Sequence, residues 1–120
     1  MARVLFIDDD FFTLETYEKI LSLYGHEALL SDSGREALKL ARENSPDLII
    51  LDRQMPDTDG FTLLKKLRLD VATATTPIIM LTASHDTFSE RAKAEGAQDF
   101  FSKPIRAKEL IAIIEKYTSD

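Results

Sequence analysis

Five short apolar runs alternate with longer stretches of helical period along this chain. Residues 3–7, 26–30, 47–51, 78–81 and 98–101 read as strands, bounded by Asp, Gly, Pro and Ser. Residues 11–24 carry Leu14, Tyr17, Leu21 and Tyr24 at helical spacing and stop at Gly25, a natural C-terminal cap. Residues 33–44 open with Ser33-Gly34-Arg35-Glu36, a capping box in which each side chain answers an orphan backbone donor, and close before Pro46. Residues 58–69 place Leu63, Leu64 and Leu67 on one helical face. Residues 71–76 form a Thr/Ala loop. Residues 87–95 give a weakly amphipathic helix whose main large apolar anchor is Phe88, and residues 106–117 repeat Leu110, Ile113, Ile114 and Tyr117 at i, i+3, i+4, i+7. Five strand–helix units in this order predict an α/β fold: a parallel sheet, doubly wound, with helices on both faces. Right-handed crossovers with one reversal give strand order 2-1-3-4-5, and the switch point falls between strands 1 and 3.

Ligand chemistry in such sheets sits outside the carboxyl ends of the strands. Asp8-Asp9-Asp10 follow strand 1, Asp52 follows strand 3, Thr82 follows strand 4, and Lys103 comes shortly after Phe100-Phe101 of strand 5. Residues scattered through the sequence thus converge on one pocket. Carboxylates brought within about 4 Å repel by on the order of 4 kcal/mol per pair at an effective dielectric of about 20. A raised pKa, an ammonium group or a divalent cation must relieve this. Oxygen donors without His or Cys favour Mg²⁺, Mn²⁺ or Ca²⁺ over zinc, and Mg²⁺ typically takes one or two carboxylates plus waters and phosphate oxygens. Lys103 adds a compact cation and Thr82 a hydroxyl donor, so the set forms a cradle for a tetrahedral dianion attached to one carboxylate. The residues read as an aspartate that accepts a phosphoryl group.

Composition narrows the classes. A length of 120 residues suits one domain, 1–120, either complete or cut at a domain boundary. The net charge of −6 argues against nucleic-acid binding, which needs a basic surface. Without Cys there are no disulfides, thiolate chemistry or Cys-based zinc sites. No targeting segment and no run of membrane-spanning length is apparent, so a cytoplasmic location is expected.

The motifs Val4-Leu5-Phe6-Ile7-Asp8-Asp9-Asp10, Leu51-Asp52-Arg53-Gln54-Met55-Pro56-Asp57-Thr58-Asp59-Gly60, Leu81-Thr82-Ala83 and Lys103-Pro104 stand in order on the expected strands. With them the chain resembles a response-regulator receiver domain of two-component, or phosphorelay, signalling over essentially its whole length. The resemblance implies the flavodoxin-like strand order and makes Asp52 the phosphoacceptor. Asp9 becomes a direct Mg²⁺ ligand, Asp8 a partner acting largely through water, and the Gln54 backbone carbonyl a further ligand. It gives Thr82 a phosphoryl oxygen to bind, pairs Lys103 with phosphoryl or acceptor oxygens, makes Phe100 a switch aromatic and implies a cis Lys103–Pro104 bond. The implied donor is a sensor histidine kinase or phosphotransfer protein. The implied response is a changed surface of helix 4, strand 5 and helix 5, with a partner or output domain as its target and a monomer or phosphorylation-linked homodimer as its assembly.

Blander readings stand beside these. Asp10 reads as a cap of helix 1, Asp57 and Asp59 as surface and cap residues, and His26 and His85 as surface groups. Phe101 is expected on the opposite face to Phe100, and Ile111 is either an exposed contact or an edge-of-core residue. Gln54 and Ser84 lie where receiver domains vary their dephosphorylation rates. Two other functions remain. A haloacid-dehalogenase-like phosphohydrolase would use Asp8-x-Asp10 as its nucleophile motif, but it expects a late acidic cluster that this chain lacks. A phosphorylation-independent module on the same fold would typically lack one of the acceptor, acid-pair, Thr or Lys positions.

Overall fold

Alternation along each apolar run sends successive side chains to opposite faces of a sheet, and runs apolar at every position suit strands buried on both sides. The computed structural model, which describes residues 1–52, 57–82 and 89–118, has this arrangement. Strands β1 (Arg3–Ile7), β2 (Glu27–Ser31), β3 (Leu48–Asp52), β4 (Ile78–Thr82) and β5 (Asp99–Ser102) pair in parallel in the order β2-β1-β3-β4-β5. The helices are α1 (Phe11–Leu23), α2 (Gly34–Asn44), α3 (Gly60–Leu69), α4 (Ser89–Ala94) and α5 (Ala107–Thr118). None of the helices among the described residues is long and apolar enough to cross a membrane.

The two faces carry separate cores. Val4, Phe6, Leu48, Ile50, Ile79 and Leu81 pack with Leu14 and Leu21 of α1 and Leu110 and Ile114 of α5. Leu5, Ile7, Ile49, Leu51, Ile78 and Met80 pack with Ala37 and Ala41 of α2, Leu64 and Leu67 of α3, and Ala92 of α4. Burying one such aliphatic side chain contributes about 1.5–3 kcal/mol, so the central strands anchor the fold. The outer strands β2 and β5 are only half-buried, apart from Ser31.

Local rules set most element ends. Asp10 caps α1, accepting from the Phe12 N–H at 3.0 Å and the Thr13 hydroxyl at 2.8 Å. Ser33 caps α2 by accepting from the Glu36 N–H at 3.2 Å, but the expected box is only half formed. The Ser33 N–H donates to Ser31 Oγ at 3.3 Å rather than to Glu36. Tyr24 is the C-cap of α1 and about half exposed, not a member of its apolar face, because the chain leaves the helix there for Gly25 at φ +78°. Helix α3 begins at Gly60, later than its apolar spacing suggested. Asp59 stands at its N-cap position without a side-chain capping bond. Ile111 is buried within the α1/α5 core, which resolves its two readings in favour of packing. Helix α4 covers the later part of the stretch expected to be helical; Thr87 and Phe88 lie outside the described residues.

Candidate functional site

Register brings the strand ends level. Ile7 lies opposite both Ser31 and Leu51, Asp52 opposite Leu81, and Thr82 opposite Ser102. The same alternation that builds the cores continues past them. Asp8 follows Phe6, Asp52 follows Ile50 and Lys103 follows Phe101, all on the α1/α5 side. Thr82 follows Met80 on the other side, the face to which Phe100 also belongs. Phe100 and Phe101 pack against opposite cores, as the period of two requires.

Asp8, Asp9 and Asp52 each offer a carboxylate oxygen, and these atoms lie within 4.8 Å of one another. Asp8 and Asp52 are buried, 3% and 8% exposed, whereas Asp9 faces solvent. Asp8 is fixed on three sides: its N–H donates to the Ser31 carbonyl at 3.1 Å, Oδ1 accepts from the Asp10 N–H at 2.9 Å, and Oδ2 accepts from Lys103 Nζ at 2.7 Å. The same ammonium stands 3.4 Å from Asp52 Oδ1. The resemblance pairs Lys103 with phosphoryl or acceptor oxygens; here it stands beside the acceptor, and its shorter contact is with Asp8, the more deeply buried carboxylate. The Lys103 N–H donates to the Thr82 carbonyl at 2.7 Å, tying the end of β5 to the end of β4, and the Lys103–Pro104 bond is cis. Thr82 itself is buried. Gln54, Ser84 and His85 lie outside the described residues.

Among the described residues, one ammonium beside three carboxylates leaves an excess of negative charge. Burial pushes the Asp52 carboxyl up to about 6, against the pull of Lys103, with the charges of Asp8 and Asp9 adding to the rise. Burial alone would discourage the Lys103 charge, yet its hydrogen bond to Asp8 and the fields of Asp52 and Asp8 prevail and raise its pKa. The donors are all oxygen, closely spaced and under-neutralised, which fits a hard divalent cation such as Mg²⁺. Asp10, the second acid of the alternative nucleophile motif, is outside this cluster and engaged in capping α1.

Two participants left no mark in the sequence pattern. Tyr17 reads as one more apolar position of α1, and its ring does stack on Phe6 with centroids 4.7 Å apart. It also shares a cavity of about 230 Å³ with Lys103, Phe12 and Pro104, and its phenol, pushed up to about 12 chiefly by burial, feels Lys103, Asp8 and Asp52. Asp57, expected as a plain surface acid, accepts from the backbone N–H groups of Gly34 at 3.0 Å and Arg35 at 3.3 Å. It thereby joins the segment after the acceptor to the start of α2. Neither role has a local signature, because each depends on a partner far away in sequence.

Residues 4–115 match the response regulator receiver domain family. The polar-differentiation response regulator DivK of Brucella ovis is 33% identical over 118 residues, covering 98% of this chain and 96% of its own. The chemotaxis protein CheY4 of Vibrio cholerae superposes with a TM-score of 0.91 at 32% identity, covering 98% of each chain. The receiver domain of a Pseudomonas aeruginosa sensor histidine kinase, with a magnesium ion coordinated in its active site cleft, superposes with a TM-score of 0.89 at 25% identity, covering 99% of this chain and 98% of its own.

Proposed function

Because the chain belongs to the response regulator receiver domain family of two-component signalling, we propose that Asp52 accepts a phosphoryl group from a phosphohistidine on a sensor kinase or phosphotransfer protein. The observation that carries this reading is the clustering of the Asp8, Asp9 and Asp52 carboxylates, with the Lys103 ammonium beside Asp8 and Asp52. A carboxylate oxygen of Asp52 attacks the phosphorus in line, the P–N bond breaks, and the imidazole leaves with a proton from solvent. The product is an acyl phosphate. Lys103, already beside Asp52, stabilises the charge of the transferring group, and the Thr82 hydroxyl donates to one of its oxygens. Asp9 and Asp52, with the Gln54 backbone carbonyl, would hold a divalent cation and Asp8 would act on it through water; the ion would supply positive charge against the phosphoryl oxygens. The magnesium bound by the Pseudomonas receiver domain supports this choice of ion.

The readout follows from the two-sided placement of the site. Thr82 and Phe100 share the face covered by α3 and α4, so a shift of Thr82 toward the phosphoryl group frees space for Phe100. Phe100 is only partly buried and lacks a hydroxyl, so its inward and outward positions differ by packing. Helix α4 meets α3 through the Arg91 guanidinium, 4.1 Å from the centre of the Phe61 ring, and Ala92 joins the apolar core on that face. The α4–β5–α5 surface is the element that changes partner affinity in the cytoplasm, and the protein acts as a signalling phosphoacceptor rather than a turnover enzyme.

Acetyl phosphate with Mg²⁺ tests the reading. Intact mass spectrometry is expected to show one added phosphoryl group on the wild type and none on Asp52→Asn. Labelling of Asp52→Asn at the wild-type rate overturns the assignment, and loss of labelling in Asp8→Asn with retention in Asp52→Asn favours the dehalogenase-like alternative.

A further inference from the structure

A second charged concavity lies away from the acidic edge, between α2 and α3. Its volume is about 350 Å³, and Arg35, Lys39, Arg42 and Lys66 surround it over a floor that includes Leu38 and Leu63. Arg35, Lys39 and Arg42 are spaced by four and three residues, so they form one stripe down the outer face of α2. All four cations are exposed. Two acids answer them incompletely. Asp70 holds Arg42 at 2.6 Å, and Asp57 lines the cavity with its carboxylate engaged by the Gly34 and Arg35 backbone N–H groups. Glu36 and Glu43 stand on the neighbouring flank of α2, around a separate groove shared with Lys39. On a chain of net charge −6 this is a local reversal of sign.

Apolar surface continues from the same place. Leu69, which lines the adjoining groove with Arg42 and Lys66, is 87% exposed, and Val71 just beyond it is 94% exposed. A small phosphate-bearing ligand would use the cations but not these side chains. We propose that the α2–α3 groove docks an acidic, partly apolar peptide segment of a partner protein. Its carboxylates lie along the Arg35–Lys39–Arg42 stripe and against Lys66, and its apolar side chains cover Leu38, Leu69 and Val71. The proposal does not depend on phosphorylation of Asp52. Asp57 gives the groove a physical link to the segment that follows the acceptor.

The test is a titration of the ¹⁵N-labelled chain with a short synthetic peptide of glutamate and leucine residues, followed by amide shifts. Shifts are expected to map to α2, α3 and residues 69–71, with affinity weakened roughly tenfold by Lys39→Glu combined with Lys66→Glu and weakened further by salt. The control Lys108→Glu, on α5, is expected to leave affinity within about twofold of wild type. Parallel titrations use the same peptide with lysine for glutamate, and inorganic phosphate. Shifts spread over unrelated surfaces, equal binding by the double variant, or the same shifts from phosphate alone overturn the proposal. Circular dichroism of each variant separates loss of binding from loss of fold.

Discussion

The two ends of the sheet treat charge in opposite ways. At the amino end two guanidinium groups, those of Arg68 and Arg3, are held by fixed partners. The Arg68 guanidinium donates to the carbonyls of Gly96 at 2.9 Å, Thr73 at 3.1 Å and Thr76 at 2.6 Å, and to Gln98 Oε1 at 2.7 Å. Arg3 reaches Glu27 and the Asn44 carbonyl, while its N–H donates to Asp47. At the carboxyl end, among the described residues, three carboxylates cluster with the Lys103 ammonium beside two of them, and Asp52 remains hard to ionise. One end is built to stay together; the other holds a charge imbalance, which the proposed function assigns to a cation and a phosphoryl group. Consistency at most positions and conflict at a few is what a functional site on a stable scaffold produces.

The contrast breaks most visibly at Arg68. Arg68→Ala is expected to lower stability by about 2–4 kcal/mol, because it leaves several loop carbonyls without a donor where β4 and β5 begin. Urea unfolding reads the loss. A change under about 0.5 kcal/mol means that water replaces the guanidinium and that these bonds do not hold the amino end together.

At the other end a deletion of charge should have the opposite sign. The Asp52 carboxyl titrates at about 6 in the folded chain, above the ordinary value of 3.8, so the folded state keeps its proton longer than the unfolded state. Its stabilising contribution is fully present below the unfolded value and is lost as pH rises through about 6. Above that, Asp52→Asn is expected to stabilise the metal-free protein by about 1–2 kcal/mol, a figure reduced for screening by solvent, with the gain vanishing toward pH 4. Urea midpoints for both proteins across that range check the sign. A flat difference with pH removes electrostatic strain as the cause.

Mg²⁺ is expected to sharpen the comparison by stabilising only the acidic end. At about ten times its dissociation constant it is expected to add roughly 1 kcal/mol to the wild type, seen as a rise in Tm. Asp9→Asn should blunt that rise, while Arg68→Ala should start lower and keep it. An equal response from Asp9→Asn places the ion elsewhere.

What the sequence made legible follows the same division between local and distant causes. The central strands announced themselves because burial on both faces demands apolar residues at every position, as in Leu48–Leu51 and Ile78–Leu81. The caps at Asp10 and Ser33 were readable because donor and acceptor lie within three residues. The convergence of Asp8, Asp52 and Lys103 followed from strand order alone. Arg68 was not readable, since its partners come from two loops and gain meaning only when α3, β4 and β5 meet. Gly96, just after the helix predicted over 87–95, shows the same limit: a Cβ there would come within 2.9 Å of Arg68 Cγ, a constraint that no local pattern announces. The half-buried edge strand β2 begins one residue later than its apolar pattern suggests, because the His26 N–H donates back to the Leu21 carbonyl of α1 at 2.9 Å and pairing with β1 starts at Glu27.

The finest distinction concerns two acids two residues apart. Asp59 occupies the N-cap position of α3 without a capping bond, whereas Asp57 reaches across to hold the first amides of α2. Those bonds, from Gly34 and then Arg35, keep the Asp57 carboxyl below its ordinary value despite some opposing desolvation. Its contribution is therefore present above the unfolded value and fades only as pH falls through the lower folded one. Hydrogen exchange should show faster exchange at the Gly34 and Arg35 amides in Asp57→Ala and no change there in Asp59→Ala. Mild acid should leave wild-type protection intact, since the carboxylate holding it is the one that resists protonation. Equal opening in both variants would mean that the close approach of Gly34 to the Thr58 methyl, where a Cβ would fall 2.5 Å from Cγ2, fixes the start of α2 by packing alone.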